Sequence, residues 1–139
     1  MYDYKCRIVE VYDGDTVKVD IDLGFGTWLP RRSIRVAGID TPEIRTRNKR
    51  EKRFGYRARD RMRELLPVGS EQVIRTYSPK PDKYGRILAN FEVGKMLASE
   101  VLIAERLGVY YDGQSKDDIK AAHLANWEWL DYEDAKESE

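Results

Sequence analysis

Cys6-Arg7-Ile8-Val9-Glu10-Val11-Tyr12-Asp13-Gly14-Asp15-Thr16-Val17-Lys18-Val19-Asp20-Ile21-Asp22-Leu23 is the stretch from which the fold is read. Val17, Val19, Ile21 and Leu23 alternate with polar residues, the period of a strand with one buried face. Ile8-Val9-Glu10-Val11 forms the run before it, and Asp13-Gly14 supplies a tight turn between the two. Further along, Gly24-Phe25-Gly26 breaks the second strand, and Pro30 falls in the connection that follows. A third strand over about 33–39 places Ile34 and Val36 on one face and Arg35 on the other, and it ends in Asp40-Thr41-Pro42-Glu43. Phe54, Ala58, Met62 and Leu65 then recur at helix spacing, until Pro67 and Gly69 stop the helix. A fourth strand runs from Gln72 to Tyr77 and a fifth from Arg86 to Glu92, where Ile87, Ala89 and Phe91 share a face. After Gly94 a second helix is expected, with Leu97, Val101 and Ala104 as its apolar stripe and Gly108 as its C-cap. A third helix, acidic and aromatic, is read over about 115–135. Ser115 or the following aspartates cap it, and Trp127, Trp129, Leu130 and Tyr132 lie in its later part.

Three strands, a helix, two strands and two helices make an α+β chain, and 139 residues suit a single domain over 1–139. Five short strands with a helix after the third are compatible with a small OB-type barrel, although other five-stranded folds fit the same string. The composition, 41% hydrophobic and 36% charged, is that of a globular chain with a heavily charged surface. No apolar run approaches the roughly 20 residues of a membrane span, so no membrane partner is expected. Met1-Tyr2-Asp3-Tyr4-Lys5 lacks the basic start and apolar stretch of a signal peptide. The expectation is therefore an intracellular protein, cytoplasmic or virus-encoded. Cys6 is the only cysteine, which rules out an internal disulfide or a cysteine metal cluster. His123, the only histidine, is read as remote from any thiol chemistry.

The net charge is zero but unevenly spread. Between Ile44 and Arg63 lie Arg45, Arg47, Lys49, Arg50, Lys52, Arg53, Arg57, Arg59, Arg61 and Arg63, opposed only by Glu51 and Asp60. After Asp112 the balance reverses, through Asp117, Asp118, Glu128, Asp131, Glu133, Asp134, Glu137 and Glu139. A basic block of this kind is either a footprint for phosphate backbones or a solvated helix face beside an acidic tail.

Three clusters place acids and arginines where strands end: Asp13-Gly14-Asp15-Thr16, Arg35 through Glu43, and Asp82-Lys83-Tyr84-Gly85-Arg86. Each has a plain structural reading. Asp-Gly makes a hairpin turn, Thr41-Pro42-Glu43 makes a helix start with Thr41 as N-cap, and the third cluster makes a loop entering a strand. Together they suit phosphodiester hydrolysis. Asp15 and Asp40 offer hard oxygens for calcium or magnesium, and Glu43 is a carboxylate able to take a proton from water. Arg35 and Arg86 can grip phosphate oxygens as charge develops.

Val11 to Thr16 (V-x-D-G-D-T), Ile34 to Glu43 (I-R-V-A-G-I-D-T-P-E) and Asp82 to Arg86 (D-K-Y-G-R) occur in the order seen in the staphylococcal nuclease family, which the chain resembles from about Val9 to about Tyr111. Phe54-Gly55 with Ala58 is similar to the family's stretch opening the first helix. The resemblance implies a five-stranded OB-fold barrel with three α-helices and a calcium-dependent endonuclease acting on DNA and often on RNA; a monomer is expected. It implies Asp15, Asp40 and the Thr41 carbonyl as Ca2+ ligands, Glu43 as general base, and Arg35 and Arg86 as the phosphate-binding pair. It also places Lys83 and Tyr84 at a substrate phosphate and at least one of Tyr110 and Tyr111 at a nucleotide base.

The chain departs from the family pattern in three places. The segment from Gly24 to Arg32 is long and is expected to form an extended hairpin or loop near the site. The stretch from Arg45 to Arg53 is unusually arginine-rich, and the C-terminal helix matches weakly. The rival reading is a non-catalytic OB-fold module that binds nucleic acid, but such a binder has no need of Asp15, Arg35, Asp40, Glu43 and Arg86 together.

Overall fold

A computed structural model describes residues 2–138; Met1, read with the N-terminal stretch, and Glu139, counted with the acidic end, lie outside it. The alternating run does pair as a hairpin, β1 (Asp3–Val11) antiparallel to β2 (Thr16–Asp22), with Val17, Val19 and Ile21 buried. Leu23 lies beyond the strand and is 40% exposed, so the buried face ends one residue pair earlier than the alternation suggests.

The third strand starts earlier than expected. β3 (Trp28–Val36) pairs with β2 from Asp22↔Trp28 to Thr16↔Arg35, and Pro30 lies inside it rather than in a connection. The register slips between Val19 and Ile21, and Pro30-Arg31 form the bulge. Arg31 takes a left-handed φ of 51°, and its amide donates to Asp20 Oδ1 at 2.8 Å. Proline is tolerated there because this part of β3 has no ladder on its other side. Gly24 to Arg32 is thus a two-stranded arm, closed at its tip by Leu23 N–H to Thr27 O at 2.8 Å.

β1 also pairs with β5 (Glu71–Thr76), β5 with β6 (Ile87–Val93), and β6 returns parallel to β3 through Ile34↔Ile87 and Val36↔Ala89. The order β3-β2-β1-β5-β6 with this closure is a five-stranded mixed barrel. It is filled by Val17, Val19, Ile34, Val36, Ile74, Ala89 and Phe91.

Helix α1 (Lys49–Leu65) covers the barrel with Phe54, Ala58 and Met62. Its cap is Asn48, whose Oδ1 accepts from Glu51 N–H at 3.0 Å, so the helix does not start at Thr41. Residues 43–48 instead form an irregular segment, and Phe54-Gly55 sits in the second turn of the helix rather than opening it. β7 (Met96–Leu97) leads into α2 (Ala98–Ala104), which buries Ala98, Ser99 and Leu102; Val101 is only half-buried and Ala104 is exposed. Arg106, not Gly108, takes the left-handed conformation after it, at φ 62°. Gly108 has a different purpose, since a Cβ there would fall 2.5 Å from Ile39 Cδ1.

Two short strands, β4 (Ile39–Asp40) and β8 (Val109–Tyr110), pair beside the barrel mouth. Helix α3 (Lys116–Glu137) is capped by Ser115 Oγ accepting from Asp118 N–H at 3.2 Å, and it buries His123, Trp127 and Leu130. Trp127 stacks on Phe54 with ring centroids 5.4 Å apart. Half of the basic residues of α1 pair with α3 or with Glu105 at the end of α2. Arg50 and Arg53 share Asp131, Arg57 pairs with Asp134, and Arg61 pairs with Glu105. Half-exposed pairs like these contribute at most ~1 kcal/mol each, but they neutralise a surface that sequence alone offers to polyanions. Among the described residues no helix is long and apolar enough to cross a membrane.

Candidate active site

The β1–β2 turn reaches the barrel mouth because Gly14 has no side chain. A Cβ there would lie 2.6 Å from Thr41 Cγ2 and 3.0 Å from Ala58 Cβ. Gly14 is absent from the left-handed positions, so it is close approach rather than turn geometry that requires glycine. Asp13 Oδ1 accepts the Asp15 amide at 3.0 Å and closes the turn. Asp15 Oδ2 then accepts the Thr41 amide at 3.2 Å, with Arg35 Nη2 3.7 Å away. Arg35 is itself held by the loop between β3 and β4, donating to Val36 O at 2.6 Å and Ile39 O at 2.8 Å. Its other N–H groups keep a fixed direction without being used up.

A cleft of about 970 Å3 opens in front of this frame, lined by Arg35, Asp40, Thr41, Glu43, Arg86 and Tyr111. Its opposite wall is built from α3 and the start of α1: Lys116, Lys120, His123 and Trp127 with Asn48 and Glu51. Glu43 titrates above the ordinary carboxylate range, first through partial desolvation, then through the charges of Asp15, Asp40 and Glu51; Arg35 opposes the shift. Asp13 is pushed up to about 7, mainly by burial and then by the charge of Asp15.

Arg86 enters the cleft from a loop organised by Asp82. That carboxylate accepts from the amides of Tyr84 and Arg86 at 2.9 and 2.8 Å, and from Arg86 Nε at 2.9 Å. Lys83 and Tyr84 stand at the rim, Tyr84 beneath the Arg86 guanidinium at 5.3 Å, and neither lines the cleft. Of the two neighbouring tyrosines, Tyr111 faces the cleft, whereas Tyr110 lines a separate depression with Arg106 and Asn126. Successive residues of an extended chain point to opposite sides, and Tyr110 at the end of β8 is not brought to the site.

A hard cation fits the donor set. Asp40 is a carboxylate on the cleft wall and Asp15 lies just behind it, bonded to the Thr41 amide, and the like charges that help raise Glu43 and Asp13, after desolvation, are what a cation relieves. The Thr41 hydroxyl is a buried side-chain oxygen with no hydrogen-bond partner among the described residues. No set of three or more carboxylate, imidazole or thiol groups converges as a ready-made cage among those residues. The fit is therefore to an open site with room for water and substrate oxygens.

Sequence reasoning passed over His123. Its Nε2 lies 2.8 Å from Asp40 Oδ2, and its ring is stacked 6.0 Å from Trp127. The signal available was the spacing of His123, Trp127 and Leu130 along one helix face, which carries a polar residue inward.

Residues 33–137 match the family of staphylococcal nuclease homologues. The chain belongs to that family. Its five-stranded barrel with three helices is the architecture the resemblance implied. Among similar proteins, the thermonuclease of Staphylococcus hyicus is 33% identical over 103 residues, covering 73% of this chain and 56% of that one. The SPbeta prophage-derived endonuclease YokF of Bacillus subtilis is 33% identical over 107 residues, covering 75% and 34%. An uncharacterized protein of Methanocaldococcus jannaschii is 36% identical over 103 residues, covering 62% and 47%. This staphylococcal nuclease homologue spans between about a third and just over half the length of these relatives.

Proposed function

We propose that this domain is a calcium-dependent nuclease that hydrolyses phosphodiester bonds in DNA and RNA. The observation that carries the reading is the convergence of Arg35, Glu43, Arg86 and Asp40 on the walls of one cleft. Glu43 titrates above the ordinary carboxylate range, first because it is partly desolvated, and a carboxylate so shifted holds a proton taken from water more firmly. The water oxygen bonds to phosphorus as its proton passes to Glu43, the phosphorus–oxygen ester bond breaks with its electron pair on the leaving oxygen, and that oxygen takes a proton from solvent. Arg35, held by two backbone carbonyls, and Arg86, held by Asp82, present N–H groups to the phosphate oxygens as negative charge builds. Asp15, Asp40 and the Thr41 carbonyl would hold calcium, which when bound neutralises phosphate charge and polarises water.

Tyr111 offers a face to a base, and Lys83 and Tyr84 at the rim offer contacts to a neighbouring phosphate. Lys116 and Lys120, one turn apart on the far wall, extend the phosphate track along α3.

The test is cleavage of single-stranded DNA, duplex DNA and RNA in calcium, in magnesium and in excess chelator, beside Glu43→Gln. Calcium-dependent cutting that disappears in chelator and in the variant is the expected result. Salt-sensitive binding without cutting by the native protein would instead make the domain a nucleic-acid-binding module.

A further inference from the structure

The proposed chemistry depends on Asp40, yet Asp40 sits in a two-residue strand whose only ladder among the described residues is to β8. Its carboxylate lines the cleft and is partly exposed, in the same electrostatic neighbourhood as Asp15 and Glu43. Like charges push such a side chain toward solvent. One contact resists this, the bond between Asp40 Oδ2 and His123 Nε2 at 2.8 Å. A carboxylate at neutral pH accepts only, so the hydrogen is on Nε2 and the imidazole donates.

The donor is itself rigidly mounted. His123 is 7% exposed, stacked near Trp127, and Trp127 lies on Phe54 at an interplanar angle of 4°. Asn126 ties the same helix to the Gly108 carbonyl at 3.2 Å. A buried histidine that merely satisfies its polar atom is the plain alternative. It does not account for the partner being the carboxylate that faces the cleft.

We propose that His123 is a positioning residue: by holding one oxygen of Asp40, it presents the other to a divalent cation and makes cation binding depend on the docking of α3. This rests on the phosphodiesterase reading for its biological meaning, but the binding claim stands on its own. Groups that orient a metal's first ligand typically change affinity by ~10–100-fold when removed.

The experiment is isothermal calorimetry of Ca2+ binding, without substrate, to native protein, His123→Phe and His123→Gln, with denaturation curves alongside. His123→Phe keeps the ring against Trp127 and loses the donor; His123→Gln restores an N–H within reach of Asp40. Affinity is expected to fall about tenfold or more in the Phe variant and to return close to native in the Gln variant. Should the Phe variant not fold, His123→Asn, whose shorter amide falls short of Asp40, takes its place with the same expected loss. Native affinity in His123→Phe or His123→Asn would overturn the proposal, as would failure of the native protein to bind Ca2+. Loss of affinity in the variants of a native protein that binds Ca2+ but cuts nothing would leave His123 in its role and remove the nuclease reading instead.

Discussion

Replacing Gly55 by alanine separates two effects that usually run together. Alanine in a helix interior is favoured over glycine by ~1 kcal/mol, and on that ground the variant is more stable. The added Cβ, however, would lie 2.8 Å from the backbone carbonyl oxygens of both Pro42 and Glu43 and 3.0 Å from the Glu43 carbonyl carbon. An ordinary carbon–oxygen approach is ~3.4 Å, so helix and segment must part by roughly 0.6 Å. Neither partner is a flexible side-chain end that can swing away. Overpacking of this kind costs ~1–3 kcal/mol, which leaves a net loss of about 1 kcal/mol after the helix gain. The displaced backbone is that of the proposed general base, and misplacement on the ångström scale can cost ~100-fold in rate. Urea denaturation and steady-state cleavage of Gly55→Ala should show a slightly less stable protein with kcat reduced by about 10–100-fold and KM changed far less. A variant stabilised by the full helix increment with native kcat would refute the contact between α1 and the Pro42–Glu43 backbone.

Glu43→Gln, Arg35→Ala and Arg86→Ala should each lower the cleavage rate by ~100-fold or more with unchanged circular dichroism; near-normal turnover in both arginine variants would remove their assigned roles. Asp13 holds its proton more tightly in the folded chain than in the unfolded one, because burial and then Asp15 raise it from 3.8 to about 7. The associated stability is complete below the unfolded value and is lost as pH rises through about 7, so unfolding curves without divalent cation should show stability falling by ~2 kcal/mol between about pH 4 and pH 7.5 after allowance for solvent screening. Asp13→Asn should flatten that slope. Lys116→Glu with Lys120→Glu should raise KM on long polynucleotide, leave a dinucleotide-sized ester unaffected, and reduce the salt slope of binding by roughly 1–2.

The hairpin was legible because period-two alternation and an Asp-Gly turn are both local signals. The start of β3 was not, because Pro30 reads as a connection until the bulge against β2 and the missing neighbour on that stretch are known. Thr41-Pro42-Glu43 has the chemistry of a helix cap, but the chain needs those residues at the cleft, and Asn48 caps α1 instead. The acids and arginines of the cleft could be named from ordered motifs. Their partners could not, since the Asp40–His123 bond joins residues 83 apart in sequence. Both blocks of charge were visible as well. That one partly answers the other across α1 and α3 emerges only when the two helices lie side by side, and it leaves Arg45, Arg47, Lys49, Lys52 and Arg63 as the members of the basic block that make no ion pair among the described residues.

The parallel closure of the barrel also governs when the domain becomes competent during translation. Ile34 cannot find its ladder partner until Ile87 has been synthesised, and the cleft lacks its far wall until the chain has grown past Trp127. Asp15, Arg35, Asp40 and Glu43 all leave the ribosome early, but a nascent chain carries them without Arg86, without a closed barrel and without His123. Long-range closure is the slow step in assembling a topology of this kind. All but Arg86 of the residues proposed to cut nucleic acid are thus made early and armed last, so a ribosome-bound nascent chain should leave its own messenger RNA intact.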